Sequence, residues 1–221
     1  MEGLQQGVGA VLWDLDGTLA DSKNYHWRSW VAAMDAEGHA VTEAQFLASF
    51  GQRNDTILGE WLGPDADPDQ VFRVGDTKEA LYRELVRTEG ITPLPGATEW
   101  VRRLHEEGWR QAIASSAPKA NVEVMHRALG FSGFIDTLVG AEDVSKGKPD
   151  PEVFIKAAQT LGVPTERCVV VEDAEAGIEA ARRGLMKSVG VGEGAIAAAD
   201  VAVVSLADLP SDTFMRLIEG D

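Results

Sequence analysis

One cysteine stands in 221 residues, so no disulfide can close within the chain. Cys168 lies in the apolar run "RCVVVED" and reads as a buried strand residue, not a redox centre. Positive charge is also scarce: 20 Lys and Arg face 36 Asp and Glu, a formal net charge of −16. The basic residues come singly or in pairs, such as Arg102-Arg103 and Arg182-Arg183, so no basic stripe exists to neutralise a nucleic-acid backbone. Nucleic-acid binding is therefore not expected. No apolar run reaches the roughly 18 residues of a membrane span, and the opening "MEGLQQGVGA" lacks the basic and long apolar segments of a signal peptide. The expectation is a cytoplasmic protein with no membrane association and no obligate protein partner. Its acidity repels anionic ligands, although salt screens that field over roughly 8 Å. A phosphate-bearing ligand would need locally supplied positive charge.

What the chain does contain is an ordinary globular composition, 44% hydrophobic and 25% charged, and enough length for a large core with an insertion. Short apolar runs recur: "VGAVLWD" (8–14), "WRQAIASS" (109–116), "DTLVGAED" (136–143), "RCVVVED" (167–173), "KSVGV" (187–191) and "VAVVSL" (201–206). Apolar at consecutive positions, they read as strands buried on both faces. Between them lie helical patterns that each stop at a glycine: "GATEWVRRLHEEG", "PKANVEVMHRALG", "PEVFIKAAQTLG" and "AEAGIEAARRG". That alternation predicts an α/β fold, a doubly wound parallel sheet with helices on both faces. Residues 22–91 break the alternation, being helical with no convincing strand, and predict an inserted α-helical subdomain. Trp27, Trp30, Val31 and Met34 form its first apolar stripe. Residues 1–21 and 92–221 would then form the core. The alanine-rich "GEGAIAAAD" reads as a loop and short helix.

In a doubly wound sheet, ligands bind beyond the carboxyl ends of the strands. There the sequence places Asp14 and Asp16, then Ser115 and Ser116, then Lys146 and Lys148, then Glu172 and Asp173. Carboxylates gathered at one place repel each other unless a cation sits among them. Oxygen donors without His or Cys suit Mg²⁺, and a lysine with paired hydroxyls beside it suits a phosphoryl group. In such a site one carboxylate can act as nucleophile, forming an aspartyl-phosphate, while a second serves as general acid and base.

"DLDGTLADS", the "ASS" after a strand, "GKPDP" and "VVVEDAEAG" together resemble the four motifs of the haloacid-dehalogenase-like hydrolase superfamily, in that family's order. The inserted block resembles its helical cap on a Rossmann-like core. The resemblance implies Asp14 as nucleophile and Asp16 as general acid and base. It implies Ser115, with Ser116 beside it, as phosphate-binding, and Lys148 as the cation that neutralises phosphoryl oxygens and orients Asp14. For Mg²⁺ it implies Asp14, the Asp16 carbonyl, Asp173 and either direct or indirect help from Glu172. Thr18 divides evenly between shaping the turn and contacting the site, and Lys146 reads as a solvated loop lysine. An acid at position 16 argues against the family's dehalogenases and phosphonatases.

The implied activity is a Mg²⁺-dependent phosphatase of a small phosphorylated metabolite, a sugar phosphate, of the β-phosphoglucomutase-like and sugar-phosphatase branch. A β-phosphoglucomutase is the alternative, because "ADSKNYHWRSW" resembles the first cap helix of that enzyme, with His26 at its histidine. The mutase's run for a second phosphate is replaced here by Ala117, Pro118 and Lys119, and Arg53 lies one position from its cap arginine. A non-catalytic sensor of a phosphorylated metabolite is the distant third reading. Arg53, His26 and Trp27 are the candidate cap contacts to substrate, each also readable as surface or packing residues.

Overall fold

The computed structural model describes residues 9–192 and 198–220. The segment preceding Gly9 and the middle of "GEGAIAAAD" lie outside the described residues, as do the readings made of them. Six strands, β1 (Ala10–Trp13), β2 (Arg110–Ala114), β3 (Thr137–Val139), β4 (Cys168–Glu172), β5 (Lys187–Val191) and β6 (Val201–Val203), form one sheet in the order β3-β2-β1-β4-β5-β6. Every pairing is parallel, and each strand lies inside an apolar run named above. Four helices follow β1: α1 (Lys23–Ala36), α2 (Glu43–Ser49), α3 (Asn54–Leu62) and α4 (Pro68–Glu89). The others are α5 (Ala97–Glu106), α6 (Lys119–Ala128), α7 (Glu152–Leu161), α8 (Glu175–Arg183) and α9 (Thr213–Glu219).

Strand side chains alternate between faces, and both faces are covered. Val11 and Trp13 join one apolar cluster with Val101 and Leu104 of α5, Val122 and Met125 of α6, and Phe214 of α9. Ala10 and Leu12 point the other way, against Val153, Phe154 and Ala157 of α7 and Ala180 and Ala181 of α8. This is the doubly wound arrangement expected from the alternation. Cys168 is fully buried, and burial pushes its thiol up to about 12, so it behaves as a small apolar group. No helix among the described residues is long and apolar enough to cross a membrane.

Helices α1–α4 gather a cluster of their own around Trp30, Met34, Phe46, Ile57, Leu58 and Val74. The chain leaves the sheet and returns to it along paired segments, with Asp21 N–H donating to Thr92 O at 3.2 Å and Leu94 N–H to Leu19 O at 3.0 Å. One local expectation shifts. Val31 is 37% exposed, because the buried face of α1 is centred on His26, Trp30, Ala33 and Met34, and Val31 lies a sixth of a turn or more outside it. The start of α7 at Glu152 is capped by Asp150, whose carboxylate accepts from the Glu152 N–H at 3.1 Å.

Candidate active site

The strand β1 hands its ladder on by one residue, Asp14 N–H donating to Val171 O at 2.9 Å, and the chain then turns at Gly17. Gly17 has φ of +91°, and a side chain there would run into the Asp173 carboxylate, so glycine alone lets this loop pass over the end of β4. Asp14 is thereby held 7% exposed beside Lys148 and Glu172. The Lys148 ammonium donates to Asp14 Oδ1 at 2.6 Å and to Glu172 Oε2 at 3.0 Å. Thr18, fully buried, donates its hydroxyl to Asp173 Oδ1 at 3.2 Å and so touches the carboxylate cluster. Ser115 extends β2, its N–H donating to Val139 O and its hydroxyl accepting from the Ala117 N–H, both at 3.0 Å. At the start of α6 one backbone donor is already taken, Lys119 N–H donating to Glu142 Oε2 at 2.8 Å.

The electrostatics are those of a site short of positive charge. Asp14, Glu172 and Asp173 each offer a carboxylate oxygen, all within 4.8 Å of one another. Burial, then the Asp14 charge, pushes the Asp173 carboxyl up to about 7. The same causes lift Glu172 well above the carboxylate range, and burial lifts Asp14 despite Lys148. Burial works against the Lys148 ammonium, but Asp14 and Glu172 outweigh it and hold it above its ordinary value. A single ammonium thus serves three clustered carboxylates. A hard divalent cation fits that donor set, which is all oxygen.

Asp16 has a different environment. Its Oδ1 accepts from the Ser22 hydroxyl at 2.6 Å, from His26 Nε2 at 3.0 Å and from the Tyr82 hydroxyl at 3.2 Å. Lys78 Nζ lies 3.0 Å from His26 Nδ1, and an ammonium can only donate, so Nδ1 accepts and Nε2 carries the proton given to Asp16. Burial alone would raise the Asp16 carboxyl, but His26, then Ser22 and Lys78, pull it down to about 2. It is an ionised acceptor in this arrangement.

These groups border one cavity, of about 50 Å³, between the strand ends and the helices α1–α4. Asp14, Asp16, Ser115, Ser116, Glu172 and Asp173 line its floor, and His26, Trp30, Phe46, Phe50, Asn54, Lys78 and Glu79 line its roof. Of the three expected cap contacts only His26 is among them. Trp27 packs on Phe46, ring centres 5.4 Å apart. Arg53 turns toward the core, donating to Ala141 O at 3.0 Å and to Asp55 at 3.3 Å. Lys119 is likewise engaged with Asp143 at 2.9 Å, and Lys146 is a solvated lysine as expected.

Sequence reasoning missed Ser22, Asn54, Lys78, Glu79 and Tyr82. One signal was available: Val74, Lys78, Tyr82 and Val86 follow a four-residue spacing along the buried face of α4. A lysine inside an apolar stripe needs a partner.

A family model for haloacid dehalogenase-like hydrolases matches residues 8–184. The chain is 34% identical over 168 residues to hexitol phosphatase A of Escherichia coli (strain K12), covering 76% of this chain and 75% of that protein. It is 32% identical over 221 residues to the chloroplastic 5-amino-6-(5-phospho-D-ribitylamino)uracil phosphatase of Arabidopsis thaliana, covering 97% of this chain and 58% of that one. It spans only 18% of another chloroplastic protein of that plant, with 34% identity over 193 residues. Among solved structures, a β-phosphoglucomutase from Clostridium difficile superposes with a TM-score of 0.86 at 25% identity, covering 96% of this chain and 97% of that one. Its curated relatives thus include named phosphatases, and its fold is that of a β-phosphoglucomutase with its helical cap. With the sheet order, the four strand-end motifs and the family match in agreement, the chain belongs to the haloacid dehalogenase-like hydrolases.

Proposed function

We propose that the protein is a Mg²⁺-dependent phosphate-monoester hydrolase acting on a small phosphorylated metabolite, a sugar or polyol phosphate, with residues 22–91 as a cap over a core of 1–21 and 92–221. The observation that carries this reading is the meeting of residues from four strand ends: Asp14, Asp16, Ser115, Glu172 and Asp173 line one cavity, and Lys148 bonds Asp14 and Glu172 beside it. Asp14 attacks phosphorus, the bond to the leaving oxygen breaks, and a proton from Asp16 completes the released alcohol. Asp16 then takes a proton from water, whose oxygen attacks the phosphorus of the aspartyl-phosphate, freeing inorganic phosphate and Asp14. Ser115 and Ser116 hold phosphoryl oxygens, and Lys148 keeps the Asp14 carboxylate aimed and its charge offset. Asp14, the Asp16 carbonyl and Asp173 would hold Mg²⁺, with Glu172 beside them fixed by Lys148. The ion supplies positive charge where phosphoryl charge concentrates.

As an ionised acceptor of three hydrogen bonds, Asp16 is suited to the base step. To donate a proton it must leave His26, Ser22 and Tyr82, which removes the interactions that pull its carboxyl down. Movement of the cap, which carries all three partners, is the device that would do this.

The β-phosphoglucomutase reading is supported by the fold match and by the His26–Asp16 contact. Against it, Arg53 and Lys119, the two cations that could take a second phosphate, are engaged elsewhere and do not line the cavity. The test is release of phosphate from p-nitrophenyl phosphate and a panel of sugar and polyol phosphates with Mg²⁺. Wild type should turn over and Asp14→Asn should not; inactivity across the panel sinks the hydrolase reading and favours a sensor. Rapid glucose 6-phosphate formation from β-glucose 1-phosphate and catalytic glucose 1,6-bisphosphate, with little free phosphate, would establish the mutase instead.

A further inference from the structure

The roof of the cavity contains one lysine or arginine among the described residues, Lys78, and its ammonium is fully engaged. It is 2% exposed and donates to Glu79 Oε1 at 2.7 Å and to His26 Nδ1 at 3.0 Å, and it sits 5.0 Å from the centre of the Trp30 ring. An ammonium has three donors, and these three neighbours account for them. Glu79 is equally settled. It is 5% exposed, Oε1 also accepts from Asn54 Nδ2 at 2.6 Å, and Oε2 accepts from Asn121 Nδ2 of α6 in the core. Asn121 is in turn fixed by Arg83 Nη1 at 3.0 Å. The remaining roof combines aromatic rings and amides, Trp30, Phe46, Phe50, Gln52 and Asn54, with Ser49 and Ile57. Lys23 lies over the Phe50 ring at 5.4 Å but does not line the cavity.

We propose that Glu79 is a specificity-determining residue: by holding Lys78, it leaves the cavity with no cation for a second anionic group and restricts the enzyme to monoesters whose leaving group is uncharged. This rests on the phosphatase reading above. A second phosphate or a carboxylate entering the roof would lose its hydration and meet a carboxylate whose own counter-charge is already bound, a loss with no compensating pair. A polyol or sugar meets hydroxyl-compatible amides and aromatic faces instead. The discrimination belongs to a charge pair, not to the shape of the cavity.

The experiment compares kcat/KM, with Mg²⁺, for the best neutral monoester among glucose 6-phosphate, sorbitol 6-phosphate and glycerol 3-phosphate against fructose 1,6-bisphosphate and 2-phosphoglycolate. Wild type should favour the neutral monoester by at least about tenfold, which corresponds to about 1.4 kcal/mol. Glu79→Gln removes the charge with little change of shape and frees Lys78, so the ratio should fall severalfold, chiefly through a lower KM for the doubly anionic substrates. Asn121→Ala breaks the contact with α6 but keeps the Lys78–Glu79 pair, so its ratio should stay near that of wild type. A wild-type ratio below about threefold overturns the proposal whether or not Glu79→Gln folds. An Asn121→Ala shift as large as that of Glu79→Gln also overturns it, as does bisphosphate turnover that depends on Lys23. If even p-nitrophenyl phosphate is not hydrolysed, the phosphatase reading has failed and this proposal with it; if that ester is hydrolysed without selectivity, only this proposal has failed.

Discussion

Replacing Lys148 by methionine tests the electrostatic account of the site directly. The ammonium is 5% exposed, bonded to two carboxylates that are themselves buried, and it stands 4.9 Å from the Phe154 ring centre, so methionine keeps much of the packing. Removing one partner of a buried pair strands the other, at a typical cost of about 3–5 kcal/mol. For a chain of this size that is a fall in Tm of about 6–20 °C. The cost depends on pH in a definite direction. Lys148 is the main influence lowering Asp14, and it also lowers Glu172; without it both carboxyls, already above their ordinary values, rise further. Groups whose folded value is raised bind more protons in the folded state, so stability is kept below the unfolded carboxylate value and lost as pH rises toward the folded one. The deficit of Lys148→Met against wild type should therefore widen between about pH 5 and about pH 8. Urea melts of metal-free protein at both pH values read it, and added Mg²⁺ should recover part of the loss at the higher pH. Equal stability of the two proteins, or a deficit that shrinks as pH rises, would refute the reasoning.

Three further outcomes are expected. His26→Ala removes the largest influence that lowers Asp16, so that carboxyl should rise from about 2 toward its ordinary value. The Asp16 shift contributes stability above the unfolded value that is lost as pH falls toward 2, on the order of 2 kcal/mol in all, so acid unfolding of the variant should begin at higher pH. Gly177→Ala places a methyl group within the buried Glu172 side chain, which Lys148 holds in place. A loss of about 1–3 kcal/mol in a urea melt, with weaker Mg²⁺ binding by calorimetry, is expected; unchanged Mg²⁺ affinity would show that Glu172 can move freely. Chelation by EDTA should abolish phosphate release and Mg²⁺ should restore it, and at a hundred times its Kd the ion should stabilise the fold by about 2.7 kcal/mol. Activity that persists in EDTA would remove the metal from the mechanism.

The sequence alone determined the parts of this protein that depend on local period and order. Consecutive apolar positions mark the six strands of the described residues, glycine stops mark α5 to α8, and the strand-end rule alone places Asp14, Ser115, Lys148, Glu172 and Asp173 together. Those residues meet because parallel strands carry their carboxyl ends to one edge. The short helix α9 and the exposure of Val31 were less legible, because packing partners decided them.

The tertiary structure alone decided what surrounds Asp16 and what the cap offers to a substrate. Ser22, His26 and Tyr82 lie 6, 10 and 66 residues from Asp16, and no spacing rule brings them to one oxygen. Arg53 and His26 are both candidate cap contacts by sequence, yet one turns to a core carbonyl and the other to the cavity. Hydrogen-bond partners from distant elements settle such choices, since a long polar side chain goes wherever its donors are satisfied. Lys78 shows the same division: its place in an apolar stripe was visible in the sequence, while His26 and Trp30 reach it only once α4 packs against α1.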